Sequence, residues 1–234
     1  MPDRLTDDLV EMLTLMRDAE RDVFGALDPA VRDRPIREGD WSPKDHQAHL
    51  SAWKGRQADR LAAARSGTQL EPWEDEDDVV NARLQARTAD WGWDAVSADA
   101  EAAHERLIAE VRATDPDLVR TGDHLLDGTY GNGAFHAQQH FIWLQAADIG
   151  IDDARVMAFN DDAERVVRRA ALSDRDRGTA LYNMACFHAL GGRLDRARPL
   201  LREAFGLRPD LVEFAPGDPD LAPLRDEIDA LAAQ

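Results

Sequence analysis

What this chain has little of narrows it first. A single cysteine, Cys186, excludes an internal disulfide framework and suits a reducing compartment. No stretch of 18 uncharged apolar residues occurs, so nothing reads as a membrane-spanning helix. The opening MPDRLTDDLVEML carries charges where a signal peptide needs an apolar run. Positive charge is scarce: 28 lysines and arginines face 46 aspartates and glutamates, for a net charge of −18. A surface of that sign repels phosphates, which argues against nucleic acid or an acidic membrane as a partner. Lysine itself is reduced to Lys44 and Lys54, which reads as coding bias. Also missing are a nucleophile elbow, a phosphate-binding glycine loop, a dinucleotide fingerprint and a Ser/His/Asp order. The expectation is a soluble, cytoplasmic protein, and 234 residues allow one large domain or two small ones.

What is present is helical periodicity. Leu5, Leu9, Met12, Met16, Ala19, Val23 and Leu27 step by three or four residues, predicting a first amphipathic helix that ends near Asp28-Pro29. Residues 29–40 read as a loop. Trp41-Ser42-Pro43-Lys44-Asp45 then starts a second helix: Ser42 can cap, Pro43 suits the first helical position, and Asp45 can answer the exposed amides. Its inward stripe is His49, Leu50, Trp53, Gln57, Leu61 and Ala64. The carboxylate-rich stretch 71–78 lacks the alternation and glycine of a calcium loop and reads as a solvated acidic loop. A short helix over 77–88 follows, and a long one over 94–114 turns Val96, Ala100, Ala103, Leu107 and Val111 inward, with His104 beside that stripe. Residues 115–131, with Gly122, Gly128 and Gly131, read as a loop.

The stretch NGAFHAQQHFIWLQAAD, residues 132–148, concentrates the chemistry. Asn132 and Gly133 read as start signals, and His136 and His140 fall one turn apart on a face that Trp143, Leu144 and Ala147 continue. Two histidines on a core face are either packed, hydrogen-bonded side chains or ligands of a metal that needs a third donor from elsewhere. The rest of the chain must supply that donor, and the competing account packs the histidines beneath Trp41, Trp53 and Trp143 without metal.

The strings WSPKDHQAHLSAW, residues 41–53, and HAQQH, residues 136–140, resemble the two signature segments of the DinB superfamily of four-helix bundles. The resemblance covers roughly residues 3–148. It implies that His49 on the second helix and His136 and His140 on the fourth hold one divalent ion. Imidazole ligands favour zinc or nickel over magnesium. The segment NARLQARTADWGWDAV, residues 81–96, is similar to the ClbS/DfsB branch of that superfamily. His46 departs from the expected filler, and could compete with His49 or act behind the ligands. Asp45 could orient an imidazole or act as a base, but its first-turn position favours capping.

After residue 150 the chain changes character. Residues 178–210 resemble a tetratricopeptide repeat, with Ala185, Gly192, Leu194, Ala197, Leu201, Ala204 and Pro209 at that motif's small, turn, apolar and terminal positions. Because a lone repeat cannot bury its own face, residues 161–172 and 218–232 are expected to be flanking helices. Cys186 reads as a small buried residue without a catalytic base.

The fold expected is therefore all-α: a DinB-like four-helix bundle over 1–150 and a small tetratricopeptide-like helical module over 151–234. The resemblance implies a metal-dependent hydrolase or thiol-dependent transferase acting on a small electrophilic or thiol-conjugated substrate, with a low-molecular-weight thiol as a second cofactor. The alternative is a non-catalytic adaptor that recognises a protein through its repeat-like helices. Expected partners are a small molecule or a protein, with room for a homodimer and no nucleic acid or membrane.

Overall fold

The computed structural model describes residues 4–36, 41–68, 70 and 77–233. Most of the acidic stretch read from the sequence, and the end of the 29–40 loop, lie outside them. The described residues are helical and contain no strand. Contacts divide them into two compact units, Leu9–Met157 and the described parts of Met1–Asp8 with Ala158–Gln234.

In the first unit the long elements are α1 (Leu5–Gly25), α2 (Pro43–Ser66), α3 (Asp77–Thr88) and α4 (Trp93–Ala113). α2 begins as its sequence dictates: Ser42 Oγ accepts from the Asp45 amide at 3.2 Å, and Asp45 Oδ2 accepts from the Ser42 amide at 2.8 Å. This reciprocal cap satisfies two otherwise orphaned donors and is worth about 1 kcal/mol. It also employs Asp45, in keeping with the capping role. α1 contributes Leu9, Met12, Leu13, Met16, Val23 and Phe24 to the core, and α4 contributes Val96, Leu107 and Val111. The Phe24 and Phe141 rings meet edge to face at 6.1 Å, tying α1 to the histidine-bearing helix.

Residues 115–131 are not a loop. They form α5 (Pro116–Thr121) and α6 (Leu126–Tyr130), and α6 runs into a π-helical turn, Gly131–Phe135, and then α7 (His136–Ala146). The Asp115-Pro116 pair, just past α4, starts α5: Asp115 Oδ1 accepts from the Asp117 amide at 2.8 Å and Pro116 needs no partner for its missing N–H. Asn132 and Gly133 therefore lie inside a helical run and do not open one. Gly133 lies close to its neighbours: a Cβ there would fall 2.4 Å from Leu13 Cδ2, so the buried Leu13 side chain would have to shift.

α8 (Asp153–Arg169), which belongs to the second unit from Ala158 onward, begins eight residues earlier than the sequence indicated, because Asp152 caps it through the Ala154 amide at 2.9 Å. α9 (Asp174–Leu190) and α10 (Leu194–Leu207) form an antiparallel pair. A Cβ at Gly178, near the start of α9, would meet Arg208 Cβ at 2.9 Å just past the end of α10, so the helices touch closely there. Ala185, Ala197, Leu201 and Ala204 are buried between them. Residues 218–232 are not one α-helix: a 3-10 helix over Pro219–Glu227, carrying Pro219 and Pro223, precedes a last short α-helix, Ile228–Ala232. Proline supplies no amide to an α-helical ladder, which accounts for the tighter winding.

Candidate metal centre

Three imidazoles converge inside the first unit. α2 supplies His49, and α7 supplies His136 and His140 one turn apart. His49 Nε2 lies 3.1 Å from His136 Nε2, and His140 Nε2 lies 3.2 Å from the same atom. The π turn sits immediately before His136, whose amide donates to the Gly131 carbonyl five residues back. A widened turn of that kind is uncommon and changes the angle at which the following side chains emerge.

These contacts cannot all be hydrogen bonds of full strength. A neutral imidazole nitrogen carries either one hydrogen or one lone pair, so His136 Nε2 makes one linear hydrogen bond and has two imidazole neighbours. A cation facing three lone pairs satisfies every one of them. Bonds of about 2.0–2.1 Å would set the nitrogens about 2.8–3.0 Å apart at right angles and about 3.3–3.4 Å apart in a tetrahedron. The observed 3.1 and 3.2 Å fall within that window, and the three donor atoms lie within 4.8 Å of one another.

The electrostatics agree. Burial, then the charges of His136, His46 and Lys54, holds His49 down to about 2. Burial and Lys54 hold His136 down to about 4, and burial with the neighbouring histidines holds His140 well below its ordinary value. All three are neutral at pH 7, the protonation state that offers a lone pair to a metal.

Around the cluster opens a cavity of about 520 Å³, lined by Trp41, Asn81, Gln139, Trp143 and others as well as the histidines. Trp143 does not continue the inward face: it is 43% exposed, beside the His140 ring at 4.9 Å. Asn81, on α3, was not singled out by periodicity, and its buried Oδ1 has no hydrogen-bond partner among the described residues. His46, one turn before His49, does not join the three; its Nδ1 lies 2.6 Å from His140 Nδ1.

Sequence reading also missed a buried ion pair. Lys54, wholly inaccessible, holds Glu20 of α1 at 2.6 Å, and His104 Nε2 lies 3.2 Å from the other carboxylate oxygen. Burial alone would raise the Glu20 carboxyl, but Lys54 and His104 outweigh it and bring it down to about 2. His104 is thus engaged with Glu20 and does not belong to the cluster. A signal for Lys54 did exist: a lysine four residues after Leu50 and seven before Leu61 falls on the inward face of α2.

In the other unit Cys186, Asp218 and Asp220 also come together. There the Asp218 carboxylate already accepts from Tyr182 Oη at 2.7 Å and from the Asp220 amide at 2.9 Å. Burial and the two carboxylates push the Cys186 thiol up, so it stays protonated and unreactive.

Comparison of the chain with family models, curated proteins and solved structures returns no match.

Proposed function

We propose that the protein is a metal-dependent enzyme of the DinB type, with His49, His136 and His140 holding one divalent ion, zinc or nickel, in a bundle of α1, α2, α4 and α7. The observation that carries the reading is the meeting of three neutral Nε2 atoms at 3.1 and 3.2 Å on the wall of a cavity open to solvent. When bound, such an ion is a Lewis acid that lowers the pKa of a water or thiol in its open positions towards about 7. The chain's own residues would do the rest. Trp41, Trp143 and Ile36 offer apolar walls for the body of a small substrate, while Asn81 and Gln139 offer hydrogen bonds that orient it. The reaction class that follows is hydrolysis or thiol transfer on a small electrophile or thiol conjugate, with a low-molecular-weight thiol as co-substrate.

A second reading treats the molecule as an adaptor whose tetratricopeptide-like α9–α10 pair binds a protein. The tight antiparallel packing at Gly178 and the buried Ala197 and Ala204 favour it as a description of that pair. Metal analysis of protein purified without an affinity tag separates the two. The enzyme reading expects one equivalent of a transition metal and metal-dependent consumption of a thiol in the presence of an electrophilic halide or epoxide. A metal-free protein that takes up no added zinc refutes it.

A further inference from the structure

His46 stands behind the cluster in an arrangement that neither a ligand nor a packing residue requires. Its Nδ1 approaches His140 Nδ1 at 2.6 Å, the ring faces being nearly perpendicular at 80°. Both side chains are buried, at 4% and 1% exposure. Trp41 packs on the His46 ring at 5.5 Å and Trp143 at 6.2 Å, which restricts its rotation. His49 and His136 lack any such support, since their Nδ1 atoms are buried with no hydrogen-bond partner among the described residues.

A hydrogen bond between two Nδ1 atoms has one donor and one acceptor. If His140 donates, its proton sits on Nδ1 and its Nε2 lone pair points at His136 and His49. If His46 donates, His140 carries its proton on Nε2, where it faces the other imidazoles and blocks a cation. Only the first arrangement is compatible with three converging lone pairs. We infer that His46 is the positioning residue of the centre: its Nδ1 lone pair accepts from His140 Nδ1–H, fixing the tautomer and ring orientation of His140 so that Nε2 faces the shared point. The inference rests on the reading of the three histidines as metal ligands. It makes His140 the anchored member of the three, and it assigns the orienting role to a neutral imidazole, where a carboxylate or a carbonyl more commonly serves.

The test uses the full-length chain as wild type, His46→Leu and His46→Asn. Leucine removes the acceptor while filling the space; asparagine places an amide oxygen where the ring Nδ1 was. Nitrogen-15 spectra of the histidine rings in metal-free protein report the tautomer directly, and competition with a chromophoric chelator reports zinc affinity and stoichiometry. The wild type should show His140 protonated at Nδ1. His46→Leu should lose that single tautomer, still bind one equivalent of zinc, and bind it about 10- to 100-fold more weakly; His46→Asn should recover most of both. Unchanged affinity and tautomer in His46→Leu would overturn the inference. So would loss of the whole equivalent in His46→Leu together with its retention in His49→Ala, which would make His46 a ligand itself. A wild type that binds no zinc but shows the His140 tautomer, lost in His46→Leu, would support the positioning contact and overturn the metal reading instead.

Discussion

The interiors of the two units differ in kind. Within Leu9–Met157 the buried polar groups include Glu20, His46, His49, Lys54, Gln57, His104, Gln138 and His140, an interior with full charges and a row of imidazoles. Within the second unit the same inventory holds Asn160 and His188, joined to each other at 2.7 Å, and the Asp8 carboxylate, which accepts from the Ala171 amide at 3.3 Å. The remainder is apolar, much of it small: Ala163, Ala180, Ala185, Ala189, Ala197 and Ala204. Buried polar groups cost free energy unless paired, so a core that concentrates them is arranged for something besides stability. A core of alanines and leucines is arranged for close helix contact. The contrast is what the proposed reading expects: the metal centre would lie in the first unit, and the second would serve packing or recognition.

The sharpest way to break this contrast is at the cluster. His136→Ala or His140→Ala should abolish stoichiometric binding of zinc while circular dichroism keeps its helical signal; full occupancy in the double variant would remove the functional distinction between the units. Next in size is the ion pair. Lys54→Met strands the Glu20 carboxylate in the core and should cost about 3–5 kcal/mol in denaturant unfolding, whereas Lys54→Met with Glu20→Gln should cost clearly less. Equal losses in the two variants would mean that the pair is not coupled.

Acid should act on the same interior. His49, held to about 2, and His136, held to about 4, are both below the 6.5 of an unfolded chain. As pH falls below 6.5 the unfolded state takes up these protons first, so stability of the metal-free protein is fully present above 6.5 and declines below it. The slope is about 1.4 kcal/mol per pH unit for each histidine until its folded value is reached. Urea midpoints at pH 7 and pH 5 check this, and the slope should shrink in His136→Ala. The smallest of these effects belongs to the second unit. Ala197 is fully buried on α10, and Ala197→Trp should overpack it by about 1–3 kcal/mol and open residues 158–233 to proteolysis. Unaltered resistance there would show that the α9–α10 contact is not close-packed.

Parts of this were legible without coordinates because they are local. The Ser42–Asp45 cap, the Pro43 start and the stripes of α1 and α4 follow from i to i+4 relations within one helix, and the one-turn spacing of His136 and His140 follows from the same geometry. The loop assigned to 115–131 failed for a related reason: three glycines read as breakers, but close contact with neighbouring helices stabilises α6 and the π turn, and that contact is not local. Trp143 was misplaced because a helical face is about 100° wide and its edge residues can turn either way.

By itself the sequence determined that the chain is helical, that a cap opens α2, and that two histidines share one face of α7; these rest on backbone geometry and near-neighbour chemistry. Tertiary structure set the 3.1 Å approach of His49, which only the family resemblance had led one to expect, and it alone decided that His46 stands behind His140 and that Lys54 finds Glu20. Those pairings join residues 34 to 94 positions apart. Which residues meet across such separations depends on how whole helices cross and rotate, and no spacing rule along the chain encodes that.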